Sequence, residues 1–223
     1  MLKAAYANPD YRRIARLARP FYPDDGPNSW QHIQEVRRRA AKMMRRLEGR
    51  SLTPAEYAAI MMHDSTKRDL GKDNHGRLGA LRAAEVLAAA LPKDQLAEAA
   101  EAISVHDDNL PKFPSHTAEL LASADANPPD ADWVLNKSYN WAITHGLKGD
   151  DRYRHIVETV PPKYGTGGKF NVPGIFAAYH GDAVRRNQET LANMTVEEAR
   201  RRLEKYRAKY GIGPDEPRVI HNR

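Results

Sequence analysis

The residues best suited to chemistry in this sequence are His63 and Asp64, an imidazole and a carboxylate side by side. They come at the end of an apolar helical segment, and Lys67 follows about one turn later. Adjacent side chains on a helix point about 100° apart, so both reach one ion only if it lies beside that face. Any further ligands must therefore come from other helices.

The chain supplies further imidazole and carboxylate groups on both sides of this pair: His32 before it, and His75, His106 and Asp125 after it. Most of them fall at the edge of an apolar stripe in a helical pattern. A single histidine in such a place is usually a hydrogen-bonded core residue, so the prediction depends on the whole set. Aspartates buried among histidines are unfavourable without a cation. The set therefore predicts a metal centre.

His106 and Asp107 form a second adjacent pair and are an alternative centre. Downstream of them only Asp125 remains, beyond a short proline-bearing loop. This pair also starts at the fraying end of its helix. We therefore favour the pair at His63.

These residues must be brought together by helices. Apolar spacings of three and four, together with capping boxes that begin at Thr53 and Thr195, are typical of helices. One helix is predicted from Thr53 to the His63–Asp64 pair and another from Thr195. The others are predicted over 8–20, 29–47, 75–91, 93–107, 115–126, 130–144, 152–159 and 173–192. The alternation typical of strands is missing before residue 150, which indicates an all-α chain.

The expected organisation is a metal-binding helical core with an N-terminal helix over residues 1–145. Residues 146–223 are expected to form a C-terminal loop and helices that pack on this core, within one globular unit. The stretch from Pro161 to Lys169 is predicted to be irregular. The tail after Gly211 is predicted to fray.

The composition limits which metal ligands and which partners the chain can have. The 223 residues include no cysteine, which excludes disulfides and thiolate ligands and leaves imidazole and carboxylate for a metal. The absence of cysteine also fits a cytoplasmic protein, which we therefore expect. No apolar segment approaches 18 residues, so no membrane span is expected. The net charge of +6 favours anionic partners such as nucleotides or nucleic acid.

The pattern resembles the HD-domain superfamily of metal-dependent phosphohydrolases, whose signature is His…His-Asp…Asp on a helical bundle. The resemblance covers about residues 28–128, with His32 as the first histidine and Asp125 as the last aspartate. It implies that one ion is held by His32, His63, Asp64 and Asp125. His75 and His106 resemble the two extra histidines of the dinuclear branch, where Asp64 would bridge to a second ion. The ions implied are Mn, Fe, Co, Ni or Zn, with Mg as a further option.

The resemblance also implies hydrolysis of a phosphoester or phosphoanhydride of a nucleotide by a metal-activated water. Nucleoside or deoxynucleoside mono- and triphosphates are the favoured substrates. Asp64 and Lys67 are the catalytic candidates, with Lys67 donating to a phosphate oxygen. Weaker candidates for substrate contacts are Arg68, Lys137, Lys163 and Lys169.

Three alternatives stay open at this point. The substrate could be a dinucleoside polyphosphate or a cyclic nucleotide, although the Gly-Tyr-Pro motif of the cyclic-di-GMP branch is missing. The chain could be a di-iron oxygenase of the same fold. It could also be a non-catalytic helical protein that binds nucleic acid, because its charge is basic.

Overall fold

The structure is a computed structural model that describes residues 9–24, 29–67, 74–126 and 130–218. Within these ranges it contains eleven α-helices, one 3-10 helix at Arg19–Phe21 and no strand. The predicted all-α class is confirmed. None of the described helices has the length and apolar character needed to cross a membrane.

The α-helices are numbered here in chain order. Their bounds are α1 Pro9–Ala18, α2 Trp30–Glu48, α3 Pro54–Met62, α4 His75–Val86, α5 Lys93–Val105, α6 His116–Asp125, α7 Ala131–Thr144, α8 Asp151–Tyr164, α9 Gly174–His180, α10 Asp182–Ala192 and α11 Val196–Lys209.

Contacts group the chain into two compact units. The first comprises Met1–Ala126 and Val172–Tyr179, and the second comprises Asn127–Asn171 and His180–Arg223. This grouping changes near residue 126, whereas the sequence-based division was placed after residue 145.

Helix α3 lies at the centre of the first unit. It packs against α1, α2, α4, α5 and α6, and every residue from Ala55 to Met62 is buried. A helix that is apolar on all sides is stable only when it is surrounded in this way. The capping box fixes where it starts, because Thr53 Oγ1 accepts from the Glu56 amide and Glu56 accepts from the Thr53 amide. Because α3 is surrounded by five helices, its end just after Met62 lies where these helices come together.

The second unit has its own apolar core. Helices α7, α8, α10 and α11 pack together around a buried set that includes Leu135, Tyr139, Ile156, Leu191 and Leu203. This unit supplies none of the six predicted metal ligands.

Two helix predictions require correction. The helix predicted over 173–192 is divided into α9 and α10 by Gly181, whose φ of 53° is in the left-handed region that favours glycine. The helix predicted over 152–159 continues to Tyr164 through Pro161 and Pro162. Proline φ is close to the helical value, so these residues fit the last turn at the loss of one amide donor each.

The C-terminal tail was predicted to fray after Gly211, and this is wrong for residues 211–218. The side chain of Arg207 donates to the carbonyl oxygens of Gly213 and Glu216. The amides of Asn136 and Asn140 both donate to the carbonyl of Arg218, at 3.0 and 2.7 Å. Buried polar side chains of the second unit therefore hold the tail in place.

Candidate metal centre

The predicted ligands meet because each one lies at or near the end of a helix in the first unit. His63 and Asp64 directly follow α3, which ends at Met62. His32 lies in the first turn of α2, where its amide is capped by Ser29. The remaining three are the first residue of α4, the residue after α5 and the last residue of α6, namely His75, His106 and Asp125.

One side of the cluster surrounds Oδ2 of Asp64. This oxygen is 3.8 Å from His32 Nε2 and 3.6 Å from His63 Nε2. Oδ1 of Asp125 completes the group, at 3.1 Å from His32 Nε2 and 3.7 Å from His63 Nε2. Two imidazoles and two carboxylates thus enclose one small volume.

The other side of the cluster surrounds Oδ1 of Asp64. This oxygen is 3.6 Å from Nε2 of His75 and 3.6 Å from Nε2 of His106. The two Nε2 atoms are 3.3 Å from each other. The two oxygens of a single carboxylate therefore face two different pairs of histidines.

These separations match those of ligand atoms around a metal ion. Two atoms bound at about 2.1 Å lie about 3.0 Å apart at right angles and about 4.2 Å apart on opposite sides of the ion. All of the distances above fall within that range. The carboxylate of Asp64 is placed to be shared between two such positions.

Hydrogen bonds select the ring nitrogens that face the cluster. Nδ1 of His63 donates to the carbonyl of Ile60 at 2.8 Å, and Nδ1 of His106 donates to the carbonyl of Ile103 at 2.7 Å. A carbonyl oxygen can only accept, so Nδ1 carries the proton and Nε2 of a neutral ring presents a lone pair. This is the usual arrangement of histidines that bind metals.

Nε2 of His63 gives a direct test of whether the residues suit a metal ion. It is fully buried and has no hydrogen-bond partner among the described residues. Buried polar atoms in proteins are nearly always paired, and leaving one unpaired is unfavourable. A cation among His63, Asp64 and Asp125 would satisfy this nitrogen, so the residues fit a metal ion.

The charges in the cluster hold both aspartates ionised. Burial favours the neutral acid, but His63, His106 and Lys67 outweigh it and lower the pKa of Asp64 below its ordinary value. For Asp125, burial is likewise outweighed by His32 and His63, and its pKa lies well below the ordinary value. Two ionised carboxylates at this depth provide the negative charge that a divalent cation requires.

The pKa values of two basic groups in the cluster are raised. Burial alone would lower the pKa of His106, but the proximity of Asp64 raises it overall. Lys67 behaves in the same way, and its Nζ is 3.1 Å from both oxygens of Asp64. Without a metal, the cluster therefore balances its carboxylates with protons and with the ammonium group of Lys67.

The cluster is closed on one side and open on the other. The side chains of His63, Asp64 and His106 are fully buried. Those of His32, Asp125 and Lys67 are 22%, 19% and 18% exposed. The side lined by these three residues is therefore the side of the cluster that is in contact with water.

Several contacts keep the ligands in position. Arg39 on α2 donates to the carbonyl of Ala126 at 2.8 Å, next to Asp125. The hydroxyl of Thr66 donates to the carbonyl of His75 at 2.8 Å. Gly76 permits α4 to approach α5, since a Cβ there would lie 3.0 Å from the carbonyl oxygens of Ile103 and Ser104.

Sequence reasoning considered His106 and Asp107 only as an alternative centre and gave Asp107 no place in the favoured ligand set, although its Oδ2 lies 4.0 Å from Nε2 of His75. Its position directly after His106 was the signal that could have joined it to that set. Gly76 was also missed as a positioning residue. Its place directly after His75, inside a helix, was the corresponding signal.

The predicted substrate contacts have different outcomes. Lys67 belongs to the cluster, whereas Arg68 lies outside the described residues. The other three lysines, Lys137, Lys163 and Lys169, belong to the second unit. There Lys137 lies over the ring of Trp133, and Lys163 lies over the ring of Tyr164, with nitrogen-to-centroid distances of 5.2 and 5.1 Å. Their role in substrate binding stays a prediction.

Comparison of the chain with models of protein families, with curated proteins and with solved structures finds no match. The geometry therefore defines the class of site by itself. The first unit is a helical bundle with a buried cluster of histidines and aspartates that can hold a metal ion, an arrangement compatible with an HD domain.

Proposed function

We propose that this protein is an HD-type metal-dependent phosphohydrolase that cleaves a phosphoester or phosphoanhydride of a nucleotide. The observation that carries the proposal is the position of Asp64, whose two carboxylate oxygens face two separate pairs of histidines at 3.6 to 3.8 Å. A carboxylate placed in this way is suited to bridging two ions, as the resemblance to the dinuclear HD branch implies.

The residues divide between two ions. The first would be held by Asp125 and the shared Asp64 together with His32 and His63, and the second by Asp64 with His75 and His106. Mixed nitrogen and oxygen donors of this kind suit Mn, Fe, Co, Ni or Zn. When bound, such ions lower the pKa of a coordinated water and offset negative charge on phosphoryl oxygens.

The side chains around the open side support an anionic substrate. Lys67 is ionised, because the raised pKa keeps its ammonium group charged at neutral pH. It lies beside Asp64 with part of its surface exposed, where it can donate to a phosphoryl oxygen. The net charge of +6 also favours encounter with anionic molecules such as nucleotides. Nucleoside and deoxynucleoside mono- and triphosphates are therefore the first substrates to test.

The test is release of phosphate, pyrophosphate or triphosphate from ribo- and deoxynucleotides by protein first stripped with a chelator. Mn, Fe, Co, Ni, Zn and Mg are added back separately, and dinucleoside polyphosphates and cyclic nucleotides complete the panel. Asp64→Asn removes the shared carboxylate charge. Asp108→Asn makes the same change at an exposed position and serves as the matched control.

We expect metal-dependent release that is lost in Asp64→Asn and retained in Asp108→Asn. Release that persists in Asp64→Asn would contradict the proposal. Oxygen uptake by the iron-loaded protein with an organic substrate, without phosphate release, would replace it with the di-iron oxygenase. Salt-dependent binding of nucleic acid that survives Asp64→Asn, with no turnover, would favour the non-catalytic alternative.

A further inference from the structure

The two positions for ions in the cluster are not equally supplied with ligands. The first is surrounded by four side chains, including the carboxylates of Asp64 and Asp125. The second is surrounded by His75, His106 and one oxygen of the shared Asp64. An ion at the second position therefore has fewer ligands and less negative charge around it.

The charge count shows the same imbalance. Two divalent ions bring a charge of +4 and Lys67 adds +1, whereas Asp64 and Asp125 together contribute −2. The sum is +3 in a largely buried site, which is unfavourable without a further anion. A carboxylate near the second position would reduce this excess to +2.

Asp107 is placed to supply that carboxylate. Helix α5 ends at Val105, and His106 is its C-cap residue, so Asp107 follows the histidine directly in a turn. Its Oδ2 is 4.0 Å from Nε2 of His75, within the range of separations between two ligands of one ion. The same nitrogen of His75 is directed at Asp64 and His106, so Asp107 lies beside the second position.

Exposure distinguishes Asp107 from the other ligands. Its side chain is 62% exposed, whereas those of Asp64 and His106 are fully buried. A carboxylate at the surface keeps more freedom to move than one held in the core. It can therefore bind the second ion when that ion is present, and it stays hydrated at the surface when the ion is missing.

We propose that Asp107 is the fourth side-chain ligand of the second ion and determines how tightly that ion is held. This inference rests on the two-ion centre of the proposed function. With Asp107, the second position offers two nitrogen and two oxygen donors, as the first does. Without it, the second ion would depend on two imidazoles and a shared carboxylate and would dissociate more easily.

The test measures bound metal rather than activity. Chelator-stripped wild type, Asp107→Asn and Asp108→Asn are titrated with Mn²⁺ by calorimetry, and bound ions are counted by native mass spectrometry. Asp108→Asn removes the same charge one residue away and controls for long-range attraction. We expect two ions in wild type and in Asp108→Asn. In Asp107→Asn we expect an unchanged first ion and a second ion weakened by about 10- to 100-fold.

The outcomes separate this inference from the proposed function. Equal binding of the second ion by Asp107→Asn and Asp108→Asn would overturn the role of Asp107 and leave the proposed function intact. A single ion in wild type would overturn the inference, because Asp107 would then have no second ion to hold. Loss of activity in Asp107→Asn with both ions retained would also overturn it. Absence of any bound ion in wild type would contradict the proposed function itself.

Discussion

Each of the two units buries a cluster of polar side chains, and the two clusters balance donors and acceptors differently. In the second unit, Arg207 donates to Asn136 and Asn140 as well as to the carbonyls of Gly213 and Glu216. The donors of Arg207 are therefore mostly paired with acceptors. Among the atoms of its guanidinium group, only Nε lacks a partner within the described residues. Such a network stabilises the fold without any ligand.

In the first unit, by contrast, carboxylate oxygens and histidine nitrogens that could each bind a cation face one another. Nε2 of His63 is buried and has no hydrogen-bond partner in the described part of the chain, and two carboxylates lie within 3.8 Å of histidine nitrogens. A cluster that served stability alone would be expected to pair most of these atoms, as the terminal nitrogens of the Arg207 guanidinium group are paired. The buried histidines and aspartates of the first unit thus form a cluster that can hold a metal ion.

The largest expected effect is the loss of metal binding in Asp64→Asn. This change removes the charge from the one carboxylate that faces all four histidines, so affinity for Mn²⁺ should fall by about 100-fold or more. Isothermal titration of chelator-stripped protein measures it, with Asp108→Asn as the control. If the affinity of Asp64→Asn for Mn²⁺ stayed within about twofold of wild type, the cluster of the first unit would not be a metal site and would no longer differ in function from that of the second unit.

Arg207→Ala should produce the opposite pattern. It removes a buried donor from the side-chain oxygens of Asn136 and Asn140 and from two part-buried carbonyls, so the free energy of unfolding should fall by about 3 kcal/mol. Metal affinity should not change. Chemical denaturation measures the stability, and Arg201→Ala, which removes an exposed arginine from the same helix, should change it little. If Arg207→Ala lost metal affinity but kept its free energy of unfolding, the assignment of metal binding to the first cluster and of stability to the second would be wrong.

A smaller effect is expected from Gly76→Ala. The added Cβ would press on the carbonyl oxygens of Ile103 and Ser104 and move α4 away from α5. His75 would then separate from His106, and the second ion should bind about tenfold more weakly while the first is retained. Calorimetry resolves the two ions, and Leu81→Ala, at an exposed position of α4, is the control. Equal weakening of both ions would show that Gly76 does not act on the second position selectively.

The smallest effect is the dependence of metal affinity on pH. Burial lowers the pKa of His106, but Asp64 more than offsets this, so its pKa lies above the ordinary value of 6.5. A protonated ring cannot bind metal, so affinity should rise as the pH increases through this pKa, by at most about tenfold per unit for one histidine. Calorimetry in buffers of different ionisation enthalpy should detect proton release on binding. Affinity that is constant between about pH 6 and pH 8 would contradict this.

Much of the first unit could be predicted from sequence because its helix ends carry local signals. The capping box at Thr53 fixes the start of α3, and the apolar run after it fixes the length of the helix. The residues with metal-binding groups fall at or next to helix ends, where such groups interrupt an apolar pattern. Their types and positions were therefore visible before their distances were known.

Other features depend on contacts that leave little trace in the pattern. The tail from Gly211 to Arg218 is held mainly through its backbone carbonyls, which every residue possesses. The break at Gly181 did have a signal, a glycine followed by Asp182 in the first turn of the next helix. The separation of Asp107 from His75 depends on how α4 and α5 pack, which no local pattern specifies.

The most direct test of the central claim is anomalous X-ray scattering from crystals of the protein grown with Mn²⁺. We expect one anomalous peak among His32, His63, Asp64 and Asp125, and a second peak between Asp64 and the pair His75 and His106. Both peaks should vanish in crystals of Asp64→Asn. Absence of a peak at the cluster in wild type, with manganese present in the crystal, would contradict the account.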